Sequence, residues 1–283
     1  MDKWFLSLAA WSARVLPDGV KRSIYRIGPL ARLVRGELNR AAPVGQSIVT
    51  VAAGELEGIR ISLDLQTEKD YWLGTYEPEL QAALGELIKP GIVTYDVGAN
   101  IGYISLMFAR RSGPNGQVFA FEALPGNLAR LRENLALNGM DSRVTIVPGA
   151  VVDQAGTVGF LVGPSGGMGK AEGSAGRQDV KYDQAINVTG RSLDEFVYQE
   201  GNPPPQVVKI DIEGGEVLAL PGMRRMLDEF HPSVLLELHG PEAAEVAWMT
   251  LQEAGYRICR MEPGFPPVPS LEALDWKAYL VAF

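Results

Sequence analysis

The sequence predicts an α/β fold with a mainly parallel sheet, on three observations. Helical and strand patterns alternate from about residue 78 onward, as they do in βαβ units. A loop with two glycines, DVGANIG at 96–102, lies where an apolar strand pattern would feed a helix. The last two strand patterns, YRICR and AYLVAF, are separated only by a Pro-rich loop and a short helical piece. Such an ending suits an antiparallel hairpin at the edge of a parallel sheet.

Taken in order, MDKWFLSLAAWSARVL reads as a helix with Trp4, Leu8, Trp11 and Val15 at helical spacing. The run is too short to span a bilayer and carries no recognisable cleavage site. Residues 1–40 hold eight basic residues (Lys3, Arg14, Lys21, Arg22, Arg26, Arg32, Arg35, Arg40) against Asp2, Asp18 and Glu37. The expected role of this segment is packing on the domain or on a second subunit, with contact to an anionic membrane surface as the alternative. We expect residues 1–65 to form a helical and strand extension and 66–283 to form the main domain.

Pro78 opens the helix PELQAALGELIK, whose Leu80, Leu84, Leu87 and Ile88 share a face and which Pro90-Gly91 ends. Strand IVTYDV, the glycine loop and a helix through Arg111 follow. After the turn SGPNG, strand QVFAFE ends on Glu122, and the next helix carries a leucine stripe (Leu124, Leu128, Leu131, Leu135) stopped by Asn138-Gly139. VTIVPGAVV reads as one strand. The glycine-rich segment 154–190 breaks the rhythm and reads as an extra strand or two around a mobile loop, either a surface insertion or a lid over a substrate. Ser192 and Glu195 form a capping-box pattern for SLDEFVYQ. Strand QVVKIDI, helix GMRRMLDEF, strand SVLLELH and helix PEAAEVAWMTLQEAG restore the alternation. His231 reads as a helix-end cap and Asn202-Pro203-Pro204-Pro205 as a linker.

A net charge of -8 and a pI near 5.0 argue against nucleic acid as a partner. The single cysteine, Cys259, excludes disulfide frameworks and cysteine zinc sites and reads as core filler. The expected location is cytoplasmic.

The loop spacing Gly98-x-Asn100-x-Gly102 departs from the dinucleotide fingerprint: Asn replaces the second glycine, and the third comes one residue early. Asn enters left-handed backbone conformations at modest cost, so the turn survives while the pyrophosphate cradle weakens. A carboxylate at Asp96 would repel pyrophosphate and suit a cationic ligand, such as the sulfonium and ammonium of S-adenosylmethionine. Glu122, at the end of the next strand, has the position of an acid that accepts both ribose hydroxyls.

At these residues the sequence resembles the FkbM-type family of class I S-adenosylmethionine-dependent methyltransferases. The resemblance covers about 65–240 and rests on GTYEPEL (74–80), YDVGANIGYIS (95–105), FEALPGNLARLRENLALNG (121–139), VVKIDIEGGE (207–216) and SVLLELHG (233–240). It implies a Rossmann-like, seven-stranded, mostly parallel sheet with an antiparallel last strand and helices on both faces. It also implies O-methylation of a hydroxyl on a sugar, glycolipid or secondary metabolite.

Many class I methyltransferases hold the adenine with an Asp or Asn at the third strand end, where this chain offers Gly149 and Ala150. Tyr76 and Glu77 resemble the family's Tyr-Glu-Pro segment, which implies closure over the methionyl end of the donor. Strand alternation places Lys209, Asp211 and Glu213 on one side, and the resemblance sets Asp211 near the reacting centre, with Glu213 and Lys209 orienting it. His239 has the unperturbed pKa of a general base, the alternative being a loop hydrogen-bonder. Asp211, Glu213, Glu237 and His239 could also hold Mg²⁺, although the spacing does not demand a metal. The competing readings are a non-catalytic methyltransferase-like binding module and, disfavoured by the loop, an NAD-dependent oxidoreductase.

Overall fold

The computed structural model describes residues 2–15, 36, 40–164, 167–177, 179–182 and 184–283, without the side chains of residues 2–7. Its contacts divide into two units, Met1–Pro78 with Ala136–Asn138, and the remainder from Glu79 to Phe283.

In the first unit, α1 (Asp2–Val15) forms as expected, but the predicted stripe is not its buried face. Leu8, Trp11 and Val15 are exposed while the small Ala13 is buried; Trp4, Lys3 and the basic residues from Lys21 to Arg35 lie outside the described side chains. Strands β1 (Gln46–Thr50) and β2 (Arg60–Asp64) pair antiparallel, and a short helix, α2, spans Lys69–Leu73. Among the described residues no helix is long and apolar enough to cross a membrane.

The second unit is a seven-stranded sheet. Its strands are β3 (Val93–Val97), β4 (Gln117–Glu122), β5 (Val144–Pro148), β10 (Val207–Ile210), β11 (Ser233–His239), β12 (Ile258–Arg260) and β13 (Lys277–Ala282), in the order β12-β13-β11-β10-β3-β4-β5. The central pairings are parallel, and only β13 runs against its neighbours. The antiparallel last strand is therefore present, and the β12–β13 hairpin forms the edge of the sheet as expected, with β12 outermost.

The expected helices surround this sheet: α3 (Pro78–Leu87), α4 (Tyr103–Ser112), α5 (Pro125–Ala136), α6 (Leu193–Tyr198), α8 (Arg224–Phe230) and α9 (Pro241–Glu253), with one short helix not expected from the sequence, α7 (Glu216–Ala219). All four leucines of the α5 stripe are buried. The Ser192 hydroxyl caps α6 by accepting the Glu195 N–H, while the Glu195 carboxylate accepts the N–H of Ala155. His231 ends α8 in the left-handed region at φ 48°. Beneath the sheet, Tyr95, Phe119, Phe121 and Phe196 pack with ring centroids 5.0–5.7 Å apart, and Cys259 is fully buried.

VTIVPGAVV is not one strand. At Gly149 (φ 142°) the chain turns away, and β6 (Ala150–Val151) joins a second sheet with β7 (Gly156–Val162), β8 (Lys170–Ala171) and β9 (Gln184–Arg191). A Cβ at 149 would stand 2.4 Å from the Thr189 carbonyl, so this departure requires glycine. The segment expected to hold a strand or two around a loop thus builds most of a four-stranded sheet.

Candidate functional site

In an open α/β sheet, ligands lie beyond the carboxyl ends of the strands where the strand order reverses. Here the order reverses between β3 and β10, and a cleft opens at that point with an empty volume of about 650 Å³, its open mouth included. Gly98 and Asn100, Glu122, Gly149 and Ala150, and Asp211 with Glu213 all line it. Phe160, Gly167, Gly169 and Ala171 close it from the glycine-rich side, so that segment is a wall of the cleft.

The loop after β3 owes its shape to left-handed residues: Gly98 (φ 82°), Asn100 (φ 50°) and Gly102 (φ 88°). A Cβ on Gly98 would come 2.0 Å from the Asp211 carbonyl and one on Gly102 2.4 Å from Leu131 Cδ1. The first glycine therefore admits the β10 loop and the second lets α4 approach α5. Glu122 is nearly buried, and its two carboxylate oxygens accept the N–H groups of Asn100 and Leu124, each at 2.8 Å. Burial pushes its pKa up against the pull of those hydrogen bonds. The Asn127 side chain and the Ala123 N–H also hydrogen-bond this carboxylate, which fixes its orientation at the cleft wall.

Asp96 departs from expectation. It is fully buried and absent from the cleft wall. Ser105 Oγ donates to its Oδ2 at 2.6 Å, and Lys209 Nζ stands 3.5 Å from its Oδ1. Register explains this, because Asp96 and Lys209 are cross-strand neighbours on β3 and β10. Lys209 also reaches Asp211 Oδ2 at 3.6 Å and donates to the Gly98 carbonyl at 2.9 Å, tying the two loops together.

Asp211 and Glu213 face the cleft, Glu213 from a left-handed backbone (φ 55°) of the kind that collects at functional sites. Burial pushes the Asp211 pKa up to about 6 against the nearby Lys209. Burial raises Glu213 as well, opposed by His239 and reinforced by Glu237. Both shifts mark a place short of positive charge.

His239 is almost fully buried between acids. Its Nδ1 lies 3.4 Å from Glu216 Oε1, and its Nε2 lies 3.1 Å from Glu237 Oε1 and 3.8 Å from Glu213 Oε2. Both ring nitrogens must donate in this setting, which makes the ring an imidazolium. Burial alone would lower its pKa, but the bonds to Glu216 and Glu237 outweigh that and push it up to about 10. These contacts favour the protonated ring, which has no lone pair to accept a proton, and so disfavour the expected role of His239 as general base. Glu237 also bonds Lys277, and these partners hold it well below the usual carboxylate range despite its burial.

Asp211, Glu237 and His239 offer ligand atoms within 4.8 Å of one another. A metal needs a neutral imidazole, so a cation held there would first have to displace the proton that His239 shares with its acids. Tyr76 and Glu77 belong to the first unit, where Tyr76 packs 4.4 Å from the Tyr71 ring and Glu77 has φ 41°.

Sequence reasoning assigned no role to Ser105, Glu216 or Lys277. Glu216 falls within VVKIDIEGGE, so its acid was visible, but nothing local shows that it meets a histidine 23 positions on.

Residues 96–258 match the family described as Methyltransferase FkbM domain. The 2-O-methyltransferase NoeI of Sinorhizobium fredii is 29% identical over 189 residues, covering 60% of this chain and 75% of that protein. The hexuronic acid methyltransferase AglP of Haloferax volcanii is 30% identical over 149 residues, 52% of this chain and 56% of that one. Among solved structures, the methyltransferase FkbM of Methylobacillus flagellatus aligns with a TM-score of 0.44 at 18% identity, covering 77% of this chain and 54% of the other. The chain thus spans about half the length of the last two.

Proposed function

This chain belongs to the FkbM family of methyltransferases, and on that premise we propose that it transfers a methyl group from S-adenosylmethionine to a hydroxyl of a sugar, glycolipid or secondary metabolite. The observation that carries the reading is the convergence of Glu122 and Asp211, from strands on either side of β3, on one cleft. The methyltransferase domain would be residues 66–283. NoeI and AglP, whose names give a 2-O-methyltransferase and a hexuronic acid methyltransferase, support this acceptor class.

The residues present fit the donor. Glu122 would take the ribose hydroxyls, while Gly149 and Ala150 offer backbone and a small apolar wall to the adenine. Gly98 and Asn100 would admit the amino-acid end. When bound, S-adenosylmethionine supplies an electrophilic methyl group on a sulfonium. Around Asp211 and Glu213 the three cations Lys209, His239 and Lys277 are outnumbered by five carboxylates, and a sulfonium would offset part of that excess.

Asp211, raised to about 6 yet still ionised at neutral pH, would accept the acceptor hydroxyl's proton. General bases of this kind contribute roughly 10²- to 10⁴-fold, and alignment of the two substrates up to ~7–11 kcal/mol. Lys209 fixes the Asp211 carboxylate, and His239, as a cation, helps hold Glu237 well below the usual carboxylate range beside it. We further propose that residues 1–40 contact a membrane surface or a second copy of the chain, supported by the exposure of Leu8, Trp11 and Val15.

Isothermal titration tests the donor: S-adenosylhomocysteine should bind and NAD should not, and the opposite pattern would refute the reading. Methyl incorporation should also survive treatment with a chelator; loss restored by added Mg²⁺ would reinstate a metal.

A further inference from the structure

Beyond Asp211 and Glu213, an aromatic side chain stands at the same edge of the sheet. Trp276, just before β13, is 44% exposed. The other exposed large apolar side chains described in the second unit, Phe230 and Met249, lie elsewhere: Phe230 ends α8 and stacks on Tyr198, and Met249 lies within α9. Because β13 is antiparallel, its first residues meet the carboxyl end of β11, with Lys277 opposite His239. The Gly240 N–H donates to the Trp276 carbonyl at 2.7 Å, which anchors the indole's backbone. The indole lies edge-on to the His239 ring at 6.4 Å between centroids. A Cβ on Gly240 would touch the indole Nε1 at 3.6 Å and the Gly176 nitrogen at 3.7 Å. Gly176 itself packs on Glu213, where an added Cβ would come 2.7 Å from the carbonyl. The indole, Gly240 and the turn over Glu213 therefore meet at one place, next to the proposed proton acceptor.

An indole is a flat apolar plate with one donor at its rim. Beside carboxylates, that combination matches a sugar ring, whose C–H face is apolar and whose hydroxyls point outward as donors. Two strand spacings of ~4.8 Å separate the end of β10 from the start of β13. A single ring presenting its hydroxyl to Asp211 would not also cover Trp276. Five carboxylates against Lys209, His239 and Lys277 leave this edge net negative, which would repel an anionic ring.

We infer that Trp276 is the floor of an acceptor subsite for a neutral glycan of at least two rings, with the reacting ring at Asp211 and its neighbour stacked on the indole. The inference rests on the proposed methyl transfer to a hydroxyl and specifies its substrate.

Saturation-transfer NMR on the full chain, loaded with S-adenosylhomocysteine, tests it with cellobiose, maltose and lactose as probes, beside their component monosaccharides and a hexuronic acid. Transfer should reach the C–H protons of at least one disaccharide and be stronger than for the monosaccharides or the uronate. Trp276→Ala should weaken that disaccharide by roughly tenfold, the scale of one aromatic contact, while Trp276→Phe retains most of it. The S-adenosylhomocysteine affinity of each variant, measured by calorimetry, reports both folding and the donor reading. Transfer to no disaccharide, or equal transfer with and without the indole, overturns the subsite while leaving the donor reading intact. Failure of wild-type protein to bind S-adenosylhomocysteine would instead overturn the reading beneath it.

Discussion

The two halves of the cleft are built from different materials. The half between β3, β4 and β5 is mostly backbone: left-handed turns at Gly98 and Asn100, the break at Gly149, and one carboxylate, Glu122, held by main-chain N–H groups. The half at the ends of β10 and β11 is a network of side-chain charges, in which Lys209, His239 and Lys277 are shared among Asp96, Asp211, Glu213, Glu216 and Glu237. A backbone cradle recognises shape and tolerates little change in volume. A charge network sets proton affinities and responds to removal of a single charge. The first half suits holding an invariant donor, the second activating an acceptor.

The largest expected effect separates the halves most cleanly. Asp211→Asn should lower kcat by about 10²- to 10⁴-fold while S-adenosylhomocysteine affinity, measured by calorimetry, changes little. A matched loss of donor binding would show that the halves are not separable. Gly98→Ala should act the other way. Its Cβ would meet the Asp211 carbonyl at 2.0 Å from a φ of 82°, so thermal unfolding should show a destabilisation of ~2–5 kcal/mol, from overpacking and left-handed strain together. Glu122→Gln should weaken S-adenosylhomocysteine by about ten- to a hundredfold, the worth of hydrogen bonds to a charged acceptor, and leave kcat at saturating donor nearly intact.

The smallest effect is the most diagnostic. Activity should rise with pH as Asp211 ionises, through about pH 6. His239 lowers the Asp211 pKa by its charge, so His239→Gln should move that limb to higher pH without abolishing turnover. A loss of 10²-fold or more at every pH would return the base to histidine. The same group affects stability. Its folded pKa of about 10 lies above the unfolded 6.5, so its stabilising contribution is complete below pH 6.5 and lost as pH rises through 10. Thermal melts of wild type and His239→Gln should therefore converge at the alkaline end.

The contrast between halves also explains what could be read from the chain. Gly98, Gly102, Glu122 and the leucine stripe of α5 were legible because each is a local statement: a glycine where the turn needs one, an acid at a strand end, leucines at helical spacing. Asp96 was placed correctly on its strand, yet its partner is Lys209, a neighbour created only by the pairing of β3 with β10. His239 looked like a base because its pKa depends on Glu216 and Glu237, and only the packing of α7 brings Glu216 to its Nδ1. VTIVPGAVV read as one strand because its residues suit strands throughout; the break comes from the close approach of Thr189 to Gly149.

The central claim is that His239 is a fixed cation and Asp211 the proton acceptor. The chain has only two histidines, so ¹⁵N-histidine NMR resolves the matter without any acceptor in hand, with a His231→Gln variant assigning the signals. Between about pH 6 and about pH 9, the His239 ring nitrogens should keep imidazolium shifts, in keeping with a pKa of about 10. A His239 that titrates near its ordinary value of 6.5, and stands neutral above it, would contradict the account and make histidine the base.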